Sequence, residues 1–163
     1  MLKQALLLIS VLSAVLGLAA CGFELRGNAA LPFESLYIEG GQDIAVDLER
    51  AVRPTATKVT DRAQDAQATL QILGEEREKR ILSLNRAGRV SEFRLLYRVN
   101  FRVSDKQGRA LLPAQQIELR RDITFNDSET LAKESEEALL YRDMQSDAVQ
   151  QIIRRVSVIR NAS

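Results

Sequence analysis

The stretch from Val90 to Ser104 alternates apolar and polar side chains, and this pattern constrains the fold more than any other feature. A period of two places alternate side chains on opposite faces of a β-strand. The set predicted to face the core is Phe93, Leu95, Tyr97, Val99, Phe101 and Val103, and the opposite set is Arg94, Arg98, Asn100 and Arg102. The pattern therefore predicts a long strand in a sheet with one covered and one hydrated face.

Turn signals flank this strand on both sides. The segments 85–88 (Asn-Arg-Ala-Gly) and 105–108 (Asp-Lys-Gln-Gly) are typical of hairpin turns. They predict antiparallel partner strands over 68–85 and 109–125, and Pro113 suggests an edge or a bulge in the second partner.

Two helices complete the predicted fold. After a strand over 35–39 and the pair Gly40-Gly41, Asp43 is expected to cap a helix that Pro54 ends. Its apolar positions are Ile44, Leu48 and Ala51/Val52. A cap candidate in Asn126-Asp127-Ser128 opens a last helix over about 129–159, whose apolar stripe is Tyr141, Met144, Ala148, Ile152, Val156 and Ile159. The predicted class is α+β, in the order β-α-β-β-β-α, with two helices packed on one face of a four-stranded sheet.

The first twenty residues have the layout of a secretory signal: Lys3, then an apolar run, then small residues. Leu18-Ala19-Ala20-Cys21 matches a lipobox, so Cys21 is predicted to carry diacylglyceryl and N-acyl lipid. A transmembrane anchor is the alternative, but the apolar core over 5–20 is short for a span of about 20 residues. The predicted organisation is a signal peptide over 1–20, a lipidated tether over 21–32 and one domain over 33–163.

Composition excludes several functions. Without Lys3 the chain carries 22 basic and 22 acidic side chains, so no overall field recruits nucleic acid. Histidine is absent and lipidation uses the only cysteine, which leaves no evident catalytic base, nucleophile or metal site. The acidic residues at 75, 76 and 78 alternate with basic ones and are interpreted as a solvated, self-paired segment. We expect no enzyme and no cofactor.

The polar face of the sheet has two interpretations. Arg94, Arg98 and Arg102 recur every four residues, which is about 13 Å along a strand, and Arg120 has the parity to join them. Guanidinium groups suit phosphate, which makes these residues candidates for an anionic partner. The alternative, favoured by the residues alone, is ordinary cross-strand pairing with acids such as Glu92, Glu118 and Asp122.

Two further basic positions draw attention. The turn over 85–89 holds Arg86 and Arg89. The alternative to a functional role is a hairpin turn that needs Asn and Gly for its backbone angles and carries arginine for solubility. Lys133 lies in the first turns of the last helix, where a positive charge opposes the helix dipole.

The segment Cys21-Gly22-Phe23-Glu24-Leu25-Arg26 resembles the start of mature chains in the lipopolysaccharide-assembly lipoprotein family LptE. The resemblance extends over the whole mature chain, through the order of elements and a last helix entered by Phe125-Asn126-Asp127 that contains Leu131-Ala132-Lys133.

The resemblance implies an outer-membrane lipoprotein, held on the periplasmic side by its lipid, that plugs and helps assemble the β-barrel LptD. The complex is expected to be one to one and to deliver lipopolysaccharide to the outer leaflet. Matching positions for the family's lipopolysaccharide contacts are Arg86 and Lys133. The loop reads Asn-Arg-Ala-Gly where some relatives have a shorter form, so Arg89 is the alternative to Arg86. The competing hypotheses are an accessory lipoprotein of another envelope complex and a carboxylate-dependent periplasmic enzyme.

Overall fold

The computed structural model describes residues 31–126 and 129–159. The predicted signal peptide, Cys21 and the tether up to residue 30 lie outside this part of the chain, as do Asp127 and Ser128 of the predicted cap. Leu31, at the end of the predicted tether, already belongs to the hydrophobic core, together with Phe33.

Five strands and two helices make up the described domain. In chain order they are β1 (Ser35–Glu39), α1 (Asp43–Val52), β2 (Lys58–Thr60), β3 (Ala68–Leu84), β4 (Val90–Asp105), β5 (Ala110–Thr124) and α2 (Thr130–Ser157). A short 3-10 turn over Ala63–Asp65 precedes β3. The α+β class with both helices on one face is confirmed, but the prediction of four strands is wrong.

The five strands form one mixed sheet in the order β2-β1-β3-β4-β5. β1 runs parallel to both β2 and β3, whereas β3, β4 and β5 form an antiparallel meander. The unpredicted strand β2 is three residues long, too short to show a period. It forms because β1 and α1 lead the chain back beside β1, where Thr57 Oγ1 donates a hydrogen bond to the Phe33 carbonyl at 2.7 Å.

The alternation of β4 is confirmed. Leu95, Tyr97, Val99, Phe101 and Val103 are buried on the face that the helices cover, which we call the inner face. Pro113 lies in the edge strand β5, where the register shifts opposite Phe101–Val103, so its missing amide hydrogen interrupts the ladder at an existing bulge.

Both helices bury the predicted stripes. Ile44, Leu48 and Val52 of α1 are fully buried, and Met144, Ala148, Ile152 and Val156 of α2 lie in the same core. One detail differs, because Asp43 is the first residue of α1 and Gln42 is its N-cap, without a side-chain cap bond. Asp43 thus acts through its charge near the positive end of the helix dipole.

The β3–β4 hairpin extends far beyond the rest of the sheet. β1 pairs with β3 only as far as Gln71, and β3 continues to Leu84, about 40 Å further at the usual rise of a strand. Helix α2 runs along this extension: Tyr141 Oη donates to the Glu78 carbonyl at 2.9 Å and Lys79 pairs with Glu137 at 2.6 Å.

Candidate functional site

The β3–β4 turn holds its arginines at the far end of the hairpin. The Asn85 side-chain oxygen accepts hydrogen bonds from the amides of Ala87 and Arg89, at 2.9 and 3.1 Å, and Gly88 supplies the positive φ of +74°. Arg86 is exposed, and its side chain makes no hydrogen bond or ion pair with any residue in the described part of the chain. These hydrogen bonds fix the conformation of the turn, and Arg86 is available to a partner.

The β4–β5 turn is built in the same way but carries less positive charge. Asp105 replaces Asn85 and accepts the equivalent amide bonds, at 2.9 Å each. Burial acts to raise the pKa of Asp105, but hydrogen bonds from the Arg109 side chain and from the amides of Arg109 and Gln107 outweigh it, so the pKa is lowered. Asp105 forms an ion pair with Arg109 at 2.6 Å. Asn85 carries no charge, so it cannot form such a pair with an arginine of its own turn.

Lys133 is less available than its position in the sequence suggests. Its side chain is 17% exposed, and Nζ contacts Glu136 at 2.9 Å and Thr124 Oγ1 at 3.2 Å. Glu136, one turn further along α2, therefore compensates the unfavourable position of this charge near the start of the helix.

The structure brings the β3–β4 turn and Lys133 to the same end of the sheet. The amide of Phe125 donates to the carbonyl of Ser91, close to the turn, and Lys133 reaches Thr124, the residue before Phe125. The two positions named by the family resemblance therefore share one end of the sheet, although 47 residues separate them in the chain. Whether they bind lipopolysaccharide stays a prediction.

The predicted arginines of the hydrated outer face have partners within the sheet. Arg94 binds Asp122 through two bonds of 2.8 and 3.0 Å, and Arg98 contacts Glu118 at 2.7 Å and Glu78 at 2.8 Å. Arg120 joins this set as its parity allows, because it lies opposite Leu96 and pairs with Glu118. Arg102 donates to Gln71 at 2.6 Å, and Glu92 bonds Ser83 instead of an arginine.

These contacts neutralise the outer face internally. The hydrogen bonds from Arg80 and Arg98 lower the pKa of Glu78, and those from Arg98 and Arg120 lower that of Glu118. The pKa of Asp122 is lowered by Arg94. We call Arg94, Arg98, Arg120, Glu78, Glu118 and Asp122 the charge ladder. The pairing favours ordinary cross-strand ion pairs over a ready-made anion site at these arginines.

A second polar region, absent from the sequence-based site, is a groove of about 730 Å³ between α1, β3 and α2. The register shift between Ile72 and Gly74 turns Arg77 and Lys79 onto the inner face. Arg77 lies 5.9 and 5.7 Å from the ring centres of Tyr97 and Tyr141. An isolated glycine inside a strand is a known sign of a bulge, so Gly74 was the available signal.

The groove is held by its own side-chain network. Arg77 donates to Gln145 at 2.8 Å, and Gln145 donates to Asp47 at 2.7 Å. Tyr97 Oη donates to Glu75 at 2.8 Å, and burial followed by this bond raises the pKa of Tyr97. Its hydroxyl is therefore a structural donor at neutral pH and is unsuited to act as a base.

Within 31–126 and 129–159, no three acidic side chains approach closely enough to hold a metal ion. The described helices also include none that is long and apolar enough to span a membrane.

Comparisons with known proteins agree with this arrangement. The solution structure of an uncharacterised lipoprotein B from Nitrosomonas europaea superimposes with a TM-score of 0.75, at 48% identity, over 86% of this chain and 94% of that one. The crystal structure of a rare lipoprotein B from Shewanella oneidensis gives a TM-score of 0.65, at 27% identity, over 74% of this chain and 92% of the other. The fold is therefore that of a class of bacterial lipoproteins.

The sequence gives the family directly. Residues 32–156 match the sequence profile of LptE, described as "Lipopolysaccharide-assembly". The LPS-assembly lipoprotein LptE of Yersinia enterocolitica is 30% identical over 99% of this chain and 80% of its own length. The chain belongs to the LptE family of lipopolysaccharide-assembly lipoproteins. This is a non-enzymatic family with no known cofactor, which confirms the expectation that the protein is not an enzyme.

Proposed function

We propose that this lipoprotein plugs the lumen of the outer-membrane barrel LptD, helps the barrel assemble, and takes part in delivering lipopolysaccharide to the outer leaflet. The complex is one to one, and lipid on Cys21 holds it on the periplasmic side of the outer membrane. At least two acyl chains are needed for stable anchoring, and a lipidated Cys21 supplies them.

The observation that carries the proposal is the reach of the hairpin. β3 is 17 residues long, which is about 50 Å at the rise of a β-strand. The hydrocarbon core of a bilayer is about 30 Å thick. A domain tethered near the start of β1 thus has the length to carry its basic turn through a barrel and across the membrane.

The charge ladder fits a water-filled lumen. A broad apolar surface on that face would associate with other molecules, whereas paired charges stay hydrated and bind no ion strongly. The inside of outer-membrane barrels is polar, and a self-neutralised sheet face is compatible with that environment.

Lipopolysaccharide binding is assigned to the end of the hairpin, through Arg86 and Lys133, with Arg89 as the alternative to Arg86. Arg86 presents a planar fork of donors that matches phosphate oxygens. Lys133 contributes positive potential beside it, although Glu136 offsets part of that charge.

The test is lipopolysaccharide binding by the full lipoprotein in non-ionic detergent. Combining Arg86→Asp with Lys133→Asp should weaken binding about tenfold or more, because one charged hydrogen bond is worth about one decade or more in affinity. Lys106→Asp is the matched control, since Lys106 holds the equivalent position in the β4–β5 turn. Equal affinities for the double variant and the control would reject these residues as contacts.

Lys133→Gln separates binding from folding in this test. Aspartate at position 133 would lie beside Glu136, whereas glutamine keeps a polar side chain and adds no repulsion. Affinity lost in Arg86→Asp with Lys133→Gln, at an unchanged melting temperature, supports direct contact.

A further inference from the structure

Large apolar side chains are exposed directly below the basic turn of the β3–β4 hairpin. Ile81 is 60% exposed and Leu84 is 57% exposed, and Leu82 between them is 39% exposed. Leu131, in the first turn of α2, is 81% exposed. We call Ile81, Leu82, Leu84 and Leu131 the apolar collar.

The collar lies at the same end of the molecule as the basic residues. Ile81 pairs across the sheet with Phe93, which packs edge to face on Phe125 at 5.2 Å between ring centres. Leu131 is two residues before Lys133, and Leu84 is two residues before Arg86. Arg86 lies in the turn that follows Leu84, so a cation comes directly after the exposed apolar side chains of the hairpin. Leu131 and Lys133 point to different sides of α2, because residues two apart on a helix do not face each other.

Helix geometry directs Leu131 toward the hairpin. Glu134, Ala138 and Arg142 follow it at three, seven and eleven residues, so the four side chains share one face of α2. That face lines the groove beside β3. Leu131 therefore lies where the groove opens toward Ile81.

The charge of the hairpin end identifies the chemistry of its occupant. Residues 81–91 contain two arginines and no acidic residue, in a chain whose basic and acidic side chains otherwise nearly balance. Exposed apolar side chains beside the exposed guanidinium of Arg86 complement an anionic amphiphile, in which phosphates and acyl chains are covalent neighbours.

We propose that the apolar collar binds acyl chains of the lipopolysaccharide whose phosphates contact the basic turn. This inference rests on the proposed function and adds to it a hydrophobic subsite that the basic residues alone do not supply. It implies that the hairpin end recognises the junction between head group and acyl chains. A site for phosphate alone would need only the arginines.

The test compares two probes on the full lipoprotein in non-ionic detergent: lipopolysaccharide, and the same molecule deacylated with its phosphates retained. Ile81→Ser with Leu84→Ser should weaken binding of intact lipopolysaccharide about tenfold, because buried apolar area is lost. Binding of the deacylated probe should not change. Leu73→Ser with Leu139→Ser is the matched control, since these leucines are 47% and 52% exposed and do not belong to the apolar collar.

Each other outcome overturns the inference. If the collar and control variants bind intact lipopolysaccharide with equal affinity, the collar is not a subsite. If the collar variant loses affinity for both probes equally, the substitutions act by changing the shape of the turn. A collar variant that binds lipopolysaccharide normally but no longer co-purifies with the barrel assigns the collar to a protein contact. Tighter, collar-dependent binding of phosphatidylglycerol micelles assigns it to phospholipid.

The design also separates this inference from the proposed function. If Arg86→Asp weakens both probes while the collar variant behaves like the control, the basic site stands and only the subsite fails. If the unmodified protein binds neither probe, the proposed lipopolysaccharide binding fails as well.

Discussion

Gly40 and Gly88 have nearly the same backbone conformation, with φ of +72° and +74°, but different surroundings. A Cβ atom at position 40 would lie 2.7 Å from the carbonyl oxygen of Ile72, whereas one at position 88 would meet nothing within 4 Å. Gly40 is therefore required both for its φ and for the close approach of β3, while Gly88 is required for its φ alone.

The pair allows a matched prediction of stability. Gly88→Ala should cost about 1 kcal/mol for the left-handed conformation, and Gly40→Ala should cost about 1 to 3 kcal/mol more, because the backbone of β3 must shift. Urea unfolding of both variants measures the difference. Equal unfolding free energies would show that Ile72 moves aside without cost.

Some residues of the candidate site were predicted from the sequence and others were not. Arg86 and Lys133 were named from the family resemblance, and their location at the same end of the sheet follows from the pairing of Phe125 with Ser91. The internal partners of Lys133 were not predictable, because its contacts with Thr124 and Glu136 depend on where α2 starts relative to β5. Arg77 was missed because its segment was interpreted as solvated and self-paired, and the bulge at Gly74 that turns Arg77 inward was not predicted.

At the scale of elements, prediction succeeded where a period repeats over many residues. β4 and α2 each bury one regular set of apolar side chains, so their inner faces were predicted correctly. β2 was missed because three residues carry no period and its pairing with β1 depends on the crossover through α1. The strand order was likewise set by long-range pairing that no local pattern encodes.

The charge ladder predicts how stability depends on pH. Glu78, Glu118 and Asp122 have lowered pKa values in the folded protein, so their stabilisation is complete above the unfolded pKa of about 4. It is lost as the pH falls through the lower, folded values. The melting temperature should therefore decrease from about pH 5 downward.

Arg98→Gln tests the origin of this decrease, because Arg98 bonds both Glu78 and Glu118. The variant should lose less stability between pH 6 and pH 2 than the unmodified protein. Arg142→Gln, at an exposed position on α2, is the control and should keep the original slope. Parallel curves for all three proteins would mean that the ladder does not set the acid response.

At the scale of the whole molecule, the described domain has a compact end and an extended end. The compact end holds the core of α1, β1 and the start of β3, and Leu31, the first described residue, packs in that core. The β3–β4 hairpin and α2 extend from it and present cations and apolar side chains at the far end. This division is compatible with the proposed lipid anchor at one end and the proposed lipopolysaccharide contacts at the other.

We propose that the chain works as a one-to-one partner of a large outer-membrane barrel. Native mass spectrometry after mild detergent extraction of the outer membrane measures this directly. We predict a complex of one lipoprotein with one LptD barrel. A lipoprotein recovered as a free monomer, or in complex with a different envelope protein, would contradict the account.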